Sequence, residues 1–208
     1  MFKSQKHGLS KMYKLIQILF FSVALSTVYF GQKQVDLDTC ETFKSLEEAL
    51  KNPNEVFILD LSKKKLKLVP EEVLLFKELR ILNLSKNKLT QLPERMSELE
   101  YLEDVNLGKN QFDVFPQVIT KWTNLKRLTI SQNIITAIPF DIQNLIKLEF
   151  LDMWSNELYV IPDSISKLEN LSFFDLRVIQ FTDDEKIRLH GLLPNTDIKF
   201  SSSCSCAH

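Results

Sequence analysis

Apolar and polar positions recur in a fixed order along most of this chain. In the stretch from Leu79 to Leu102, Leu82 and Leu84 share one face of a short extended segment, while Ile81, Asn83 and Ser85 take the other. Asn87 follows, with a side-chain amide able to bond backbone groups that a turning chain leaves unpaired. Leu89 and Leu92 return the chain inward. Pro93 then stops any strand and suits the first position of a helical turn, and Met96 and Leu99 give that turn an apolar stripe of helical or 3₁₀ type. The order returns every 23 residues, as Leu79, Leu102, Leu125, Leu148 and Leu171 mark, with Pro70, Pro93, Pro116, Pro139 and Pro162 in step. A lone unit of this kind cannot bury its own leucines, whereas stacked units can, so the pattern predicts a solenoid.

The other units agree. The inward strand positions read Leu59 and Leu61, Val105 and Leu107, Leu128 and Ile130, Leu151 and Met153, then Phe174 and Leu176. The asparagine column reads Asn87, Asn110, Asn133 and Asn156, with Lys64 in the first unit and Ile179 in the last. An outer column, Phe76, Leu99, Trp122, Leu145 and Leu168, is expected to be core. The expectation is five full repeats and a degenerate sixth over 56–178, with a cap at either end to cover the exposed core. In the N-terminal cap, 32–55, Ser45-Leu46-Glu47-Glu48 is a capping-box pattern, and Phe43, Leu46, Ala49 and Leu50 would share one helix face. In the C-terminal cap, 179–200, Thr182-Asp183-Asp184-Glu185 opens a helix whose apolar side would be Ile187, Leu189, Leu192 and Leu193. Gly191 and Pro194 end it, Asp197 to Phe200 alternates like an edge strand, and the polar tail 201–208 is expected to be disordered.

Composition bounds the class without naming a ligand. The chain has 208 residues, 44% of them hydrophobic, and a net charge of -1, which fits one globular domain. Leu15 to Phe30 carries no charge and follows Lys3, Lys6, Lys11 and Lys14, the layout of a secretory signal peptide over 1–31, with Met12 as an alternative start and cleavage near Gly31. The competing reading is an uncleaved anchor, although the run is near the lower limit for a span. Loss of the leader with its four lysines would leave a net charge of -5, a poor match to nucleic acid.

Candidates for chemistry are few. Beyond the leader, His190 and His208 are the histidines and Gly108 and Gly191 the glycines, so neither a phosphate-cradling loop nor a nucleophile–base pair is recognisable. No catalytic residue and no cofactor is therefore expected. Cys204, Cys206 and His208 resemble metal ligands by type, but on a mobile tail they read as a plain terminus; Cys40 lies too far from them for a disulfide and is expected to be free or inert. The outward strand positions are the better candidates. Lys63, Lys86 and Lys109 form a basic row, read as solvated surface or as an anion site. In the later units Phe150, Trp154 and Phe173 fall near Asp152, Asp175 and Arg177, with Asp104 and Arg127 before them. Aromatics with arginine amid polar neighbours have the composition of a protein-binding hot spot, and the alternative is cross-strand packing alone.

From Val56 to Leu176 the units resemble the typical 23-residue leucine-rich repeat family, in the form that ends Leu-Pro-x-x-Φ-x-x-Leu. That resemblance implies an α/β repeat solenoid, a horseshoe arc with a concave parallel β-sheet and a helical or 3₁₀ convex side. It implies a non-catalytic protein–protein interaction module, and the leader and caps look like those of small exported bacterial members, secreted or held in the envelope. The alternatives are a structural envelope scaffold without a specific ligand and a membrane-anchored regulator of signalling. The expected partner is a protein, with no nucleic acid, and no membrane unless the leader stays uncleaved.

Overall fold

A computed structural model describes residues 35–201, so the leader and the cysteine-bearing tail lie outside the described residues. The chain divides into two units, 1–38 and 39–208; of the first, only residues 35–38 are described, and they lead into a 3₁₀ turn at Leu37–Thr39. The second unit is built on one sheet of eight parallel strands in sequence order: β1 (Thr42–Phe43), β2 (Ile58–Asp60), β3 (Ile81–Asn83), β4 (Asp104–Asn106), β5 (Arg127–Thr129), β6 (Phe150–Asp152), β7 (Phe173–Asp175) and β8 (Asp197–Lys199). From β2 to β7 every residue pairs with the one 23 positions on. This register puts Leu59, Leu82, Val105, Leu128, Leu151 and Phe174 in one file, all fully buried. The sheet and the solenoid are as the repeat predicts.

Behind the strands, five-residue 3₁₀ segments carry the return: Glu71–Leu75, Glu94–Glu98, Gln117–Lys121, Phe140–Asn144 and Asp163–Lys167. Each follows a proline held in an extended conformation, φ between -60 and -74. The return is too short for a full α-helix, and 3₁₀ geometry covers more length per residue. The outer column packs beneath these segments, and Trp122, fully buried, donates its indole N–H to the Met96 carbonyl at 2.8 Å.

The asparagines close the turns. Asn133 accepts from the Phe112 N–H at 3.1 Å and donates to the carbonyls of Leu107, Ile130 and Ser131. Asn87, Asn110 and Asn156 repeat the arrangement, each reaching 21 and 26 residues back into the preceding coil. Backbone groups that the turn strips from the sheet ladder are thereby paired inside the core.

At the N-terminal end Ser45 caps α1 (Leu46–Ala49), its hydroxyl accepting the Glu48 N–H. At the C-terminal end Thr182 caps α2 (Asp183–Leu192) in the same way. Four expectations need correction: Phe43 lies in β1 and not on the helix face, and Gly191 lies inside α2, which ends at Leu192. Leu50 is exposed because α1 ends one residue before it, and Ile187 is 70% exposed because α2 turns only Leu189, Leu192 and Leu193 toward the core. Arg188 instead holds α2 down, bonding Glu185, Asp163 and the Ile161 carbonyl. Cys40 is half-buried ahead of β1.

The residue before each asparagine position is left-handed. Lys63, Lys86, Lys109, Gln132, Ser155 and Val178 have φ from 53 to 66, although none is glycine. Unbranched side chains tolerate this at modest cost, but a β-branched one is strained there. Val178 is 61% exposed, so its side chain contributes little packing. Val178→Asn is expected to stabilise the domain by about 1 kcal/mol. A denaturation midpoint that falls in this variant would show the strain to be offset by something else.

Candidate concave-face interface

The outward positions of the strands form three columns, and the register decides which side chains meet. The first column runs Ile58, Ile81, Asp104, Arg127, Phe150, Phe173 and Asp197. Within it the Arg127 guanidinium lies over the Phe150 ring, 4.1 Å from the centroid, and pairs with Asp104 at 3.4 Å. Phe150 and Phe173 stack at 4.9 Å with ring planes 7° apart. Four strands thus contribute one unbroken run of acid, guanidinium and two rings. Arg127 is exposed and the rings are half-buried. Cation–π contact and ring stacking fix these side chains before any partner arrives.

The second column has a structural use. Asp60, Asn83, Asn106, Asp152 and Asp175 each accept the backbone N–H two residues on, at 2.8 to 3.0 Å, in an Asx turn that ends the strand. Thr129 alone breaks the series. Asp152 also accepts from the Ser131 hydroxyl at 2.9 Å. Asp175, only 4% exposed, is held by Arg177 through three further bonds between 2.6 and 3.1 Å. Expected as partner contacts, both carboxylates therefore serve their own turns first.

The third column reads Ser62, Ser85, Gly108, Ser131, Trp154 and Arg177. Its early positions are small, and a Cβ on Gly108 would come within 3.2 Å of Asn106 Oδ1. Trp154 is half-buried and not part of the core, but it stands two columns from Phe150 and Phe173. Rings expected to cluster as three are a stacked pair and a separate indole. Sequence reasoning named these residues yet missed how Arg127 is used, although Asp104, Arg127, Phe150 and Phe173 stand 23 apart and must be neighbours in any stacked sheet.

Charge on this face is shaped by burial. Desolvation pushes the Asp104 carboxyl up, with Arg127 opposing. Asp152 is pushed up by burial too, and the Trp154 N–H and the Ser131 hydroxyl oppose that rise. Hydrogen bonding to Asp175 raises Arg177 further. Among the described residues no group of three or more His, Cys, Asp or Glu side chains could hold a metal ion, and no helix is long and apolar enough to cross a membrane.

No curated protein matches the chain. Among solved structures, it is similar to a leucine-rich repeat protein of Leptospira interrogans, with 27% identity and a TM-score of 0.59 over 77% of this chain and 48% of that one. The chain thus spans about half the length of that relative. It is also similar to internalin C2 of Listeria monocytogenes, at 23% identity and a TM-score of 0.64, covering 77% of this chain and 67% of the other, which bears on the fold alone. The model of the leucine-rich repeat region matches residues 37–190, about three quarters of the sequence, and with the in-register sheet and the asparagine ladder it shows that the chain belongs to the leucine-rich repeat family.

Proposed function

We propose that this chain is a non-catalytic binding module that holds a protein partner on its concave face through Asp104, Arg127, Phe150, Asp152, Trp154, Phe173, Asp175 and Arg177. Leucine-rich repeat folds generally serve protein–protein interaction and are typically not enzymes. The observation that favours this stretch of the face is the Asp104–Arg127–Phe150–Phe173 run, in which an exposed guanidinium and two rings are preordered on a rigid sheet. Preordering removes much of the side-chain entropy that binding would otherwise cost. Asp152 and Asp175 would act indirectly, by orienting Trp154 and Arg177.

The reading extends to the ends of the chain. Residues 1–31 would be a leader removed on export, 32–55 and 179–200 the caps of repeats over 56–178, and 201–208 a free tail, giving a secreted or envelope-exposed protein. N-terminal sequencing of the protein recovered from its native cell tests the leader, since a sequence starting at Met1 or Met12 would make it an anchor.

A partner captured from secreted and surface fractions allows the site to be tested. The double variant Phe150→Ala/Trp154→Ala is expected to weaken that partner's affinity at least tenfold, as removal of aromatic hot-spot residues does. Unchanged affinity in a folded double variant would end the proposal. A second reading, a scaffold without a specific ligand, is favoured by the Phe150–Phe173 stack itself, because the rings already satisfy each other across strands. On that reading the variant loses stability, and many weak associates are recovered in place of one or two strong ones.

A further inference from the structure

Besides the sheet, a second line of bonds joins the coils. Lys63, Lys86, Lys109, Gln132 and Ser155 donate their backbone N–H to Ser85, Gly108, Ser131, Trp154 and Arg177 of the next coil, at 2.7 to 3.0 Å. Lys88, Gln111, Ile134 and Glu157 donate back to Leu66, Leu89, Phe112 and Ile135 of the coil before, at 2.8 to 3.0 Å. The segments between strand and proline are therefore locked side by side. Residues 23 apart occupy equivalent stations along one edge of the solenoid.

Station by station, this edge is basic at one end and carries exposed apolar side chains among polar ones at the other. The two coils that begin at β2 and β3 carry Lys63, Lys64, Lys65, Lys67, Lys86 and Lys88, all exposed, and among the described residues none of them has an acidic partner. Other lysines of the chain, such as Lys77, Lys121 and Lys126, are paired. Leu68 stands 65% exposed among the first four. In later coils the stations are mixed: Ile134 is equivalent to Lys65 and Lys88, Tyr159 to Lys67, and Val114 and Val160 to Leu68, while Lys109, Gln111 and Thr136 stay polar beside them. Tyr159 is 74% and Val114 70% exposed, and Ala137 pairs with Val160 in a parallel bridge. Asp113 and Glu157 are the acids on this edge.

We infer that this edge docks on a bilayer surface that carries anionic lipid. Unpaired lysines on a chain whose net charge is slightly negative mark a place where negative charge is to be met. A soluble polyanion would engage the lysines and leave Leu68, Val114 and Tyr159 in water. A bilayer surface accepts both ends. The ammonium groups meet lipid headgroups while their stems lie on apolar surface, and a tyrosine ring sits at headgroup depth with its hydroxyl in water. Nucleic acid fits less well, since the basic end has no arginine fork and no ring on which a base could stack. The sequence assigned a membrane only to the leader; the folded edge supplies a separate contact, independent of the concave-face reading.

The test is co-sedimentation of the full chain with phosphatidylcholine vesicles, with and without phosphatidylglycerol. Every variant keeps the leader, so the leader's own affinity cancels in each comparison. The set Lys63→Gln, Lys65→Gln, Lys67→Gln, Lys86→Gln and Lys88→Gln is expected to lower partition onto anionic vesicles about fivefold per lysine and to leave partition onto neutral vesicles unchanged. Val114→Ser with Tyr159→Ser is expected to lower the partition that survives high salt by about tenfold. Far-UV circular dichroism confirms that the variants are folded, as these side chains are all exposed. Equal partition of the lysine variant and the parent on anionic vesicles overturns the inference. So does a parent that binds soluble polyglutamate through these lysines while its vesicle partition ignores them, which would make the edge a site for an acidic polypeptide.

Discussion

Asn133→Ala is expected to remove about 3–5 kcal/mol of folding stability, more than its side-chain volume accounts for. The amide is 6% exposed and makes four hydrogen bonds, to Phe112, Leu107, Ile130 and Ser131. Truncation leaves the Phe112 N–H without a partner where water has little access, at a cost of about 1–3 kcal/mol, and takes one of two bonds from each of the Leu107, Ile130 and Ser131 carbonyls, worth about 0.5–1.5 kcal/mol apiece. Two of the bonds cross to the preceding coil, so the variant also loosens the coupling on which a solenoid depends. Asn124→Ala is the control. That amide is half-buried and makes two solvent-exposed bonds, donating to the Glu100 carbonyl and accepting from Lys147, so its loss should cost no more than about 1 kcal/mol. Urea denaturation of both variants decides the point. Equal shifts would mean that the ladder is tied by the sheet alone.

Trp122→Ala should destabilise the domain by about 3–5 kcal/mol, the usual cost of removing a large buried ring. Among the described residues Trp122 is the largest fully buried side chain, and it lies in the outer column between Leu99 and Leu145. Its indole N–H also satisfies the Met96 carbonyl. Trp122→Phe separates the two contributions. It keeps most of the volume and loses the bond, so a cost near 1–2 kcal/mol is expected. If Trp122→Phe proved as costly as Trp122→Ala, the hydrogen bond and not the packing would dominate this column.

Lys63, Lys86 and Lys109 illustrate the limit of a column read from sequence alone. They look there like three equivalent surface charges. In the fold each takes the left-handed position that turns the chain toward the asparagine, and Gln132, Ser155 and Val178 do the same without charge. The column is therefore set by backbone geometry, and charge is superimposed on it in the early coils only. Asp152 and Asp175 show the same division. As residue types they suggest partner contacts, yet a carboxylate two positions before a turn is within reach of the turn's own N–H, and that local bond forms first. Ile187 stays exposed because helical spacing says which residues share a face but not how much of that face the neighbouring coil covers.

The period of 23 by itself determined the parallel sheet, the file of buried leucines, the prolines that open each return and the asparagines that close each turn. These follow from local geometry repeated without change, because equal coils have one way to stack with all their leucines dry. Tertiary structure alone decided that the Arg127 guanidinium lies flat over the Phe150 ring and that Trp154 stands apart from the stacked rings. Those outcomes depend on which rotamer each side chain takes against the next coil, and a linear pattern of polar and apolar positions holds no record of that choice.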